Sequence, residues 1–244
     1  MNIQNSVILI TGSAVRVGKT IALTLAQKGG RVVIHYRTRR EEAEQTAREV
    51  AEFTGAPLIV QGDVSRREDW ERMRDEILAV HGQVDVLVNN AAIFYRTPLF
   101  QTTEAQWEEF MAVNLKSVFL GSRILGEVMY RQGRGKIINI ADVAGERVWA
   151  NYIPYCVSKA GVIALTRGLA QALAPHVLVN AIAPGTVLLA EEYDEEEEQR
   201  LIHRTPLKRV GSPQDIANTV AFLIEGSDFI TGSVIPVDGG RSLT

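Results

Sequence analysis

The chain has 244 residues, 46% of them hydrophobic, and its 26 Lys and Arg against 29 Asp and Glu give a formal net charge of −3. A chain of this length can bury a large core, and the near-neutral charge gives no electrostatic reason to expect nucleic acid as a partner. The one cysteine favours a reducing, cytoplasmic compartment, and neither a membrane-length apolar run nor a basic leader segment is found, so we expect no membrane partner.

Short apolar runs alternate with helical patterns along the whole chain. Strands are predicted at Val7–Ile10, Arg31–His35, Leu58–Val60, Val86–Val88, Lys136–Ile140, Val177–Ala181 and Ser233–Val237. Helices are predicted at Lys19–Gln27, Glu41–Glu52, Trp70–Val80, Glu104–Met129, Tyr155–Leu173 and Pro213–Leu223. Most strands are apolar at consecutive positions, as strands covered on both faces are. The pattern predicts one α/β domain over residues 1–244, a doubly wound Rossmann-type fold with a seven-stranded parallel sheet flanked by helices.

An acidic stretch interrupts this alternation after the sixth predicted strand. It contains Glu191, Glu192, Asp194 and the run Glu195 to Glu198, which are seven acidic residues within eight positions. The charge alone predicts a solvated helix face or a surface loop. Open α/β sheets bind ligands at the carboxyl ends of their strands, so we interpret residues 186–210 as a candidate substrate-loop insertion.

The first predicted strand leads into a glycine-rich turn, Thr11 to Thr20, and then into a helix. This arrangement presents backbone N–H groups and the positive end of a helix to a phosphate. A phosphate-loop NTPase needs four residues between its first glycine and Gly-Lys-Thr, whereas five separate Gly12 from Gly18. We therefore favour a dinucleotide, although the three-glycine fingerprint is absent.

The residues after the second predicted strand indicate which dinucleotide is bound. An NAD site places an acidic residue here for the ribose hydroxyls, whereas the 2′-phosphate of NADP requires cations. Tyr36, Arg37 and Thr38 follow His35, and the first acidic residue is Glu41. Because an Arg fork matches phosphate geometry, the sequence predicts NADPH as the cofactor.

Tyr155 and Lys159 lie four positions apart on a predicted helix, and therefore on one face of it. A nearby ammonium favours the phenolate of a Tyr, whose ordinary pKa is about 10. The pair is thus a candidate proton donor for a group that receives a hydride. The adjacent Cys156 is interpreted as a small buried hydrophobe. The four histidines are scattered, so no metal site is expected.

These features together resemble the short-chain dehydrogenase/reductase family over nearly the whole chain. The matching segments are Thr11–Gly18, Asp63-Val64, Asn89–Ala92, Asn114, Ile137–Ile140, Tyr155 with Lys159, Pro184-Gly185 and Val237–Gly240. The cofactor-binding residues that the turn, the second strand and the resemblance imply are Gly12, Ser13, Arg16, Val17, Gly18, Tyr36, Arg37, Thr38, Asp63, Val64, Asn90, Ala91, Lys159, Pro184 and Gly185.

The resemblance also implies catalytic roles for four residues. Tyr155 would be the acid, and Lys159 would bind the nicotinamide ribose and lower the pKa of the Tyr. Asn114 would hold a helix distortion and a water in a relay to Lys159. Asp142 would take the catalytic serine's place. Family members commonly form tetramers, so a homotetramer is expected, with residues 238–240 at the interface.

Three departures from the common family pattern resemble its pteridine reductase branch. Arg16 stands where a glycine is usual, Asp142 replaces the catalytic Ser thirteen residues before Tyr155, and Phe94 follows shortly after Asn-Asn-Ala. In that branch the Arg reaches cofactor phosphate and substrate, and the Phe stacks on the pterin. The resemblance therefore implies that Arg16, Phe94, Asp142 and Tyr155 contact a small-molecule substrate. Ordinary packing for Phe94 and a structural cap for Asp142 are the alternatives.

The exchange of Ser for Asp also has a chemical reason. A Ser hydroxyl donates a hydrogen bond to the oxyanion that develops from a carbonyl, whereas an ionised Asp repels it. A carboxyl that exchanges a proton suits a C=N acceptor, whose nitrogen must be protonated. We predict an NADPH-dependent reductase of a pterin, dihydropterin or dihydrofolate-like C=N bond. The alternatives are a 3-oxoacyl-thioester (acyl carrier protein) reductase and a nucleotide-sensing protein without catalysis, against which the intact Tyr155, Lys159 and Asn114 argue.

Overall fold

A computed structural model describes residues 1–188 and 194–244 of the chain. Its strands are β1 Val7–Ile10, β2 Arg31–Tyr36, β3 Ile59–Gln61, β4 Val86–Asn89, β5 Gly135–Ile140, β6 Val177–Pro184 and β7 Val234–Val237. They form one parallel sheet in the order β3–β2–β1–β4–β5–β6–β7. The seven parallel strands confirm the predicted doubly wound α/β fold.

Helices cover both faces of this sheet. They are α1 Arg16–Gln27, α2 Arg40–Thr54, α3 Arg67–His81, α4 Glu104–Phe110, α5 Ser117–Arg131, α6 Ile153–Leu173, α7 Glu195–Arg204 and α8 Pro213–Glu225. A π-helix, Met111–Lys116, joins α4 to α5, and 3₁₀ turns lie at Val143–Gly145 and Arg241–Leu243. The long helix predicted over Glu104–Met129 is therefore interrupted, which corrects the sequence-based expectation.

The core has two halves because successive strand residues point to opposite faces of the sheet. From β1, Ile8 and Ile10 pack with buried residues of α1 and α8, while Val7 and Leu9 pack with Trp70 of α3 and with α5. All four β1 residues are fully buried. Each such side chain contributes about 1.5–3 kcal/mol to folding, so the strand is held firmly from both sides.

The acidic stretch is partly helical. Glu191 and Glu192 lie outside the described residues, but Glu195 to Glu198 form the first turn of α7. Asp194 begins this helix, because its carboxylate accepts a hydrogen bond of 2.8 Å from the backbone N–H of Glu197. The helix dipole favours acidic residues at this end, which helps one helical turn to accommodate four negative charges.

Candidate active site

A cleft of about 660 Å³ opens at the carboxyl ends of the strands, including β1 and β4, where the strand order reverses. Open α/β sheets bind their ligands at such switch points. The sequence-predicted residues that line it are Gly12, Arg16, Val17, Gly18, Tyr36, Arg37, Thr38, Asp63, Val64, Asn90, Ala91, Phe94, Asp142, Tyr155, Lys159, Pro184 and Gly185. Two predicted site residues, Ser13 and Asn114, lie behind the cleft wall, where they hydrogen-bond to the lining residues His35 and Ile93.

The glycine turn is folded tightly onto the end of β4. Gly12 has a positive φ of 65°, which favours glycine. A Cβ on Gly18 would lie 2.3 Å from the Gly12 carbonyl oxygen, so only glycine fits there. The Asn90 side chain donates to the carbonyl oxygen of Thr11 at 2.8 Å, tying the turn to the next strand. The turn leaves the N-terminus of α1 at the cleft, as a cofactor diphosphate requires.

His35, for which the sequence predicts no role, holds this turn from behind. Its Nδ1 accepts from the backbone N–H of Gly12 at 2.9 Å, and its Nε2 lies 3.1 Å from the carbonyl oxygen of Gly62, so the ring is neutral with the proton on Nε2. Burial lowers the pKa of His35 to about 4. The Ser13 hydroxyl accepts from the His35 backbone N–H at 2.9 Å, so Ser13 supports the turn rather than facing the cleft.

Arg16 begins α1 in a left-handed conformation with φ of 55°. That conformation costs an L-residue roughly 1–2 kcal/mol, and it is the conformation for which glycine is usual. Its side chain is exposed at the cleft. Strain of this kind is tolerated where a side chain has a use, and a guanidinium at this point is suited to an anionic or hydrogen-bond-accepting ligand.

Arg37 lies just beyond the end of β2 and lines the cleft. Its guanidinium is half exposed and approaches Asp63 to 4.0 Å. The hydroxyl and the backbone N–H of Ser65 donate to Asp63, and the Arg37 charge lies close by; together they lower the pKa of this carboxyl against the opposing effect of its partial burial. The Arg37 guanidinium remains accessible from the cleft, in a position to bind a phosphate.

Asp142, Tyr155 and Lys159 converge on one point of the cleft. The Tyr155 hydroxyl donates to Oδ2 of Asp142 at 2.7 Å, and Nζ of Lys159 lies 5.8 Å from the centroid of the Tyr155 ring. Tyr155 and Lys159 are 6% and 4% exposed. Burial raises the pKa of Asp142 and lowers that of Lys159 to about 8. Three groups able to exchange protons thus share one desolvated corner.

The other oxygen of Asp142 has a structural use. Oδ1 accepts from the backbone N–H of Ala144 at 2.8 Å and caps the 3₁₀ turn at Val143–Gly145. Nζ of Lys159 donates to the carbonyl oxygen of Ile140 at 2.8 Å, which fixes it beneath the Tyr155 ring. The cap considered as an alternative for Asp142 is therefore present, together with the contact to Tyr155.

Asn114 lies in the π-helix, at the distortion that the resemblance implied. Its Oδ1 accepts from the backbone N–H of Ile93 at 2.8 Å, and its Nδ2 donates to the Ile93 carbonyl oxygen at 3.0 Å. The same Nδ2 lies 3.3 Å from the Ser158 hydroxyl. Asn114 therefore fixes the loop that carries Phe94, while the water relay stays a prediction.

Phe94 belongs to a set of aromatic rings that we call the aromatic wall: Phe94, Trp149, Tyr152 and Tyr155. The Phe94 ring stacks on Tyr152 at 4.8 Å with an interplanar angle of 4°, and packs edge-on against Tyr155 at 4.8 Å. Phe94 is 39% exposed and lines the cleft, so packing occupies only part of its surface. Trp149 and Tyr152, which precede Tyr155 by six and three residues, have no role in the sequence-based prediction.

Cys156 is 1% exposed, and burial raises the pKa of its thiol. Its Sγ accepts from the backbone N–H of Trp149 at 3.4 Å. A buried thiol of this kind is a weak nucleophile, in agreement with the interpretation of Cys156 as a packing residue.

Over the described ranges 1–188 and 194–244, no cluster of three potential metal ligands is found. Nor does any helix in those ranges combine the length and apolar character needed to cross a membrane.

Comparison with known proteins identifies the family. The sequence profile of the enoyl-(acyl carrier protein) reductase family matches residues 12–242. The chain is 35% identical to the 3-oxoacyl-[acyl-carrier-protein] reductase FabG of Staphylococcus epidermidis over 97% of this chain and 99% of the relative. It is 38% identical to the (2S)-[(R)-hydroxy(phenyl)methyl]succinyl-CoA dehydrogenase subunit BbsD of Thauera aromatica, over 100% of this chain and 99% of that protein.

Solved structures give the same result. The fold matches the crystal structure of a proposed gluconate dehydrogenase of Agrobacterium tumefaciens with a TM-score of 0.94 and 33% identity, covering 100% of this chain and 98% of the other. The names of the two sequence relatives, one acting on an acyl carrier protein substrate and one on a CoA substrate, favour the thioester alternative over the pterin. Profile, relatives and fold agree on the broader group, and the chain belongs to the short-chain dehydrogenase/reductase family, whose members are oxidoreductases.

Proposed function

We propose that this chain is an NADPH-dependent reductase whose acceptor is a C=N bond in a flat heterocycle of the pterin, dihydropterin or dihydrofolate type. The observation that carries the proposal is the 2.7 Å hydrogen bond from the Tyr155 hydroxyl to Oδ2 of Asp142. A carboxyl at this position, held beside the proton donor of a reductase, supplies a second exchangeable proton site next to the acceptor.

The residues of the cleft fit a dinucleotide. Gly18 allows the Gly12 backbone to pack closely against α1, and the N-terminus of α1 lines the cleft together with the Arg16 side chain. Arg37 supports the choice of NADPH, because no carboxylate ends β2 and a guanidinium there suits a 2′-phosphate. Lys159 would hold the nicotinamide ribose. When bound, the cofactor supplies the hydride.

The chain's own groups handle the proton. Tyr155 holds a proton on its hydroxyl oxygen in the cleft, with the ammonium of Lys159 beneath its ring favouring the anion that forms when this proton leaves. Burial raises the pKa of Asp142, which favours the protonated form of its carboxyl beside the Tyr155 hydroxyl. Protonation of a ring nitrogen needs such a donor, whereas a carbonyl oxyanion is better served by a hydroxyl.

The aromatic wall supports a flat acceptor. Phe94 presents part of its ring to the cleft, and an aromatic surface stabilises a stacked heterocycle by about 0.5–1.5 kcal/mol beyond the buried area. A 3-oxoacyl thioester has an extended, aliphatic reacting portion that gains less from such a surface. The second candidate, a 3-oxoacyl-thioester reductase, rests on the 35% identity to FabG across nearly the whole chain.

Turnover with matched acceptors separates these candidates. Oxidation of NADPH should be measured with dihydrobiopterin, dihydrofolate and acetoacetyl-CoA, in the parent and in Asp142→Asn, which keeps the size of the side chain and removes its acid. We expect turnover of a pterin that falls by roughly 10²–10⁴-fold in Asp142→Asn. Reduction of the thioester alone would refute the proposal and favour the second candidate.

A second variant tests the alternative that this chain binds a nucleotide without catalysing a reaction. Tyr155→Phe removes the hydroxyl and keeps the ring contacts with Phe94. We expect this variant to retain NADPH binding and to lose turnover. Unchanged turnover in Tyr155→Phe would exclude Tyr155 as the proton donor, and absence of turnover with every acceptor in the parent would favour the binding protein.

A further inference from the structure

Arg96, in the loop between β4 and α4, joins two parts of the chain that lie far apart in sequence. Its Nε donates to the hydroxyl of Tyr152 at 3.2 Å. Its Nη2 donates to Oε1 of Glu197, in the first turn of α7, at 2.6 Å. The Glu197 side chain is 26% exposed and that of Arg96 44%, so the pair is partly shielded from water. One guanidinium therefore connects α7 to a ring of the aromatic wall.

Tyr152 passes this contact on to the reacting groups. Its ring is 8% exposed and lies parallel to Phe94 at 4.8 Å. Phe94 in turn packs edge-on against Tyr155 at 4.8 Å. Backbone pairing fixes the base of this arrangement, since the N–H of Thr97 donates to the Asn151 carbonyl oxygen at 2.7 Å. A displacement of Arg96 would therefore shift Tyr152 and, through it, Phe94, the ring that lines the cleft.

Helix α7 has little else in the described structure to hold its first turn. None of its ten residues is buried, so apolar packing contributes little to its position. At its other end, the Thr244 hydroxyl donates to the carbonyl oxygen of Arg204 at 3.3 Å. Like charges along the first turn repel one another, and pairing Glu197 with Arg96 removes part of that repulsion.

From these contacts we infer that Arg96 is a positioning residue of the active site, which fixes α7 and the aromatic wall in one arrangement for acceptor binding. The inference holds for any flat or extended acceptor that enters beside Phe94, and it does not depend on the C=N chemistry proposed above. Arg96 is not one of the residues that line the cleft, so its effect is exerted through Tyr152 and Glu197.

This role makes a specific kinetic prediction. Removing the pair should raise the KM for the acceptor and leave kcat and the dissociation constant of NADPH nearly unchanged. Arg37 and the glycine turn, where the cofactor would bind, have no described contact with Arg96. Because solvent screens a partly exposed ion pair, the loss should be modest, a change of about fivefold. We therefore expect KM to rise about fivefold in Arg96→Ala and in Glu197→Gln.

The chain offers a matched control. Glu196 is adjacent to Glu197 and pairs within α7 with Arg200 at 3.9 Å, with its side chain 86% exposed. Glu196→Gln removes the same charge from the same helical turn without touching the aromatic wall, so KM should stay at the parent value. Tyr152→Phe keeps the stacked ring and removes only the hydroxyl that Arg96 contacts. It should reproduce part of the Arg96→Ala effect.

Rescue and hydrogen exchange complete the test. The doubly reversed variant Arg96→Glu/Glu197→Arg should recover a KM nearer the parent than either reversal alone. Backbone amides of residues 195–204 should exchange faster in Arg96→Ala and Glu197→Gln than in Glu196→Gln, and this measurement needs no acceptor. Kinetics would use dihydrobiopterin, or acetoacetyl-CoA if the pterin is not reduced, so failure of the proposed function leaves the inference testable. Equal exchange in all three variants, or an equal change of KM in Glu196→Gln, would overturn it.

Discussion

Replacing His35 by Gln should remove a specific acid sensitivity of the folded protein. His35 is 2% exposed and lies between the Gly12 N–H and the Gly62 carbonyl oxygen, at 2.9 Å and 3.1 Å. Burial is the main cause that lowers its pKa from 6.5 to about 4. A Gln amide can accept from one neighbour and donate to the other, but it does not titrate in this range.

The direction in which the free energy of unfolding changes with pH follows from proton uptake by the unfolded chain. As the pH falls below 6.5, unfolded His35 binds a proton while folded His35 stays neutral until about pH 4. The unfolded state therefore binds more protons over this window, and the free energy of unfolding decreases as the pH falls. A shift of that size, at 1.36 kcal/mol for each pKa unit, makes the loss between pH 7 and pH 4 about 3 kcal/mol.

Urea unfolding at pH 7, 5.5 and 4 would measure this loss in the parent and in His35→Gln. The carboxylates titrate in both proteins, so their contribution cancels in the difference between the two pH profiles. We expect the parent to lose about 3 kcal/mol more than the variant between pH 7 and pH 4, whatever the absolute stability of the variant at pH 7. Parallel profiles for the two proteins would show that His35 titrates alike in the folded and unfolded chain, and would refute the reasoning.

Other predictions concern the cofactor site. Gly18→Ala should destabilise the fold and abolish cofactor binding in thermal unfolding and fluorescence titration, because its Cβ would lie 2.3 Å from the Gly12 oxygen, whereas Gly168→Ala, with no heavy atom within 4 Å of its Cβ, should be tolerated. Arg37→Ala should weaken NADPH binding by roughly 10- to 100-fold and leave NADH binding nearly unchanged, since a charge-assisted bond to phosphate is lost; equal losses for both would contradict an NADPH site. Turnover of the parent should fall as the pH rises through about 8, because Lys159 then loses the charge that favours the Tyr155 anion; a profile flat to pH 10 would contradict this.

Most strands could be predicted from the sequence because each is a short apolar run covered on both faces. The bounds of β1 agree to the residue with the prediction of Val7–Ile10. In contrast, β6 runs to Pro184, three residues beyond the predicted end at Ala181. Those extra residues pair with β7, Ala183 with Pro236 and Pro184 with Val237. Pairing between distant segments is not visible in the local pattern that defines a strand in sequence.

The π-helix and α7 were missed in the sequence-based prediction for two different reasons. The π-helix at Met111–Lys116 depends on Asn114 bonding to the backbone of Ile93, 21 residues away, and no local pattern signals that contact. Helix α7 did have a local signal. Asp194 followed three positions later by Glu197 is a capping pattern, and His203 near the end suits the helix dipole. The density of acidic charge hid that signal behind a general expectation of a solvated surface.

The proximity of the two candidate proton-handling residues could be predicted from the sequence because their spacing is local. Tyr155 and Lys159 are one helical turn apart, so their proximity follows from helix geometry. Arg96 was not accessible, since its partner Glu197 is 101 residues away. His35 was not accessible either, because its role depends on the approach of the Gly12 and Gly62 backbone across three strands.

The two oxygens of Asp142 explain why an acid, rather than a hydroxyl, can serve this position. Oδ1 is used by the Ala144 N–H, and this cap fixes the orientation of the carboxyl group. Oδ2 is thereby directed at the Tyr155 hydroxyl, 2.7 Å away. A Ser has one side-chain oxygen, so it cannot cap the turn with one oxygen and direct a second at Tyr155. The structural cap and the proposed catalytic role of Asp142 are therefore complementary, because the first sets the geometry on which the second depends.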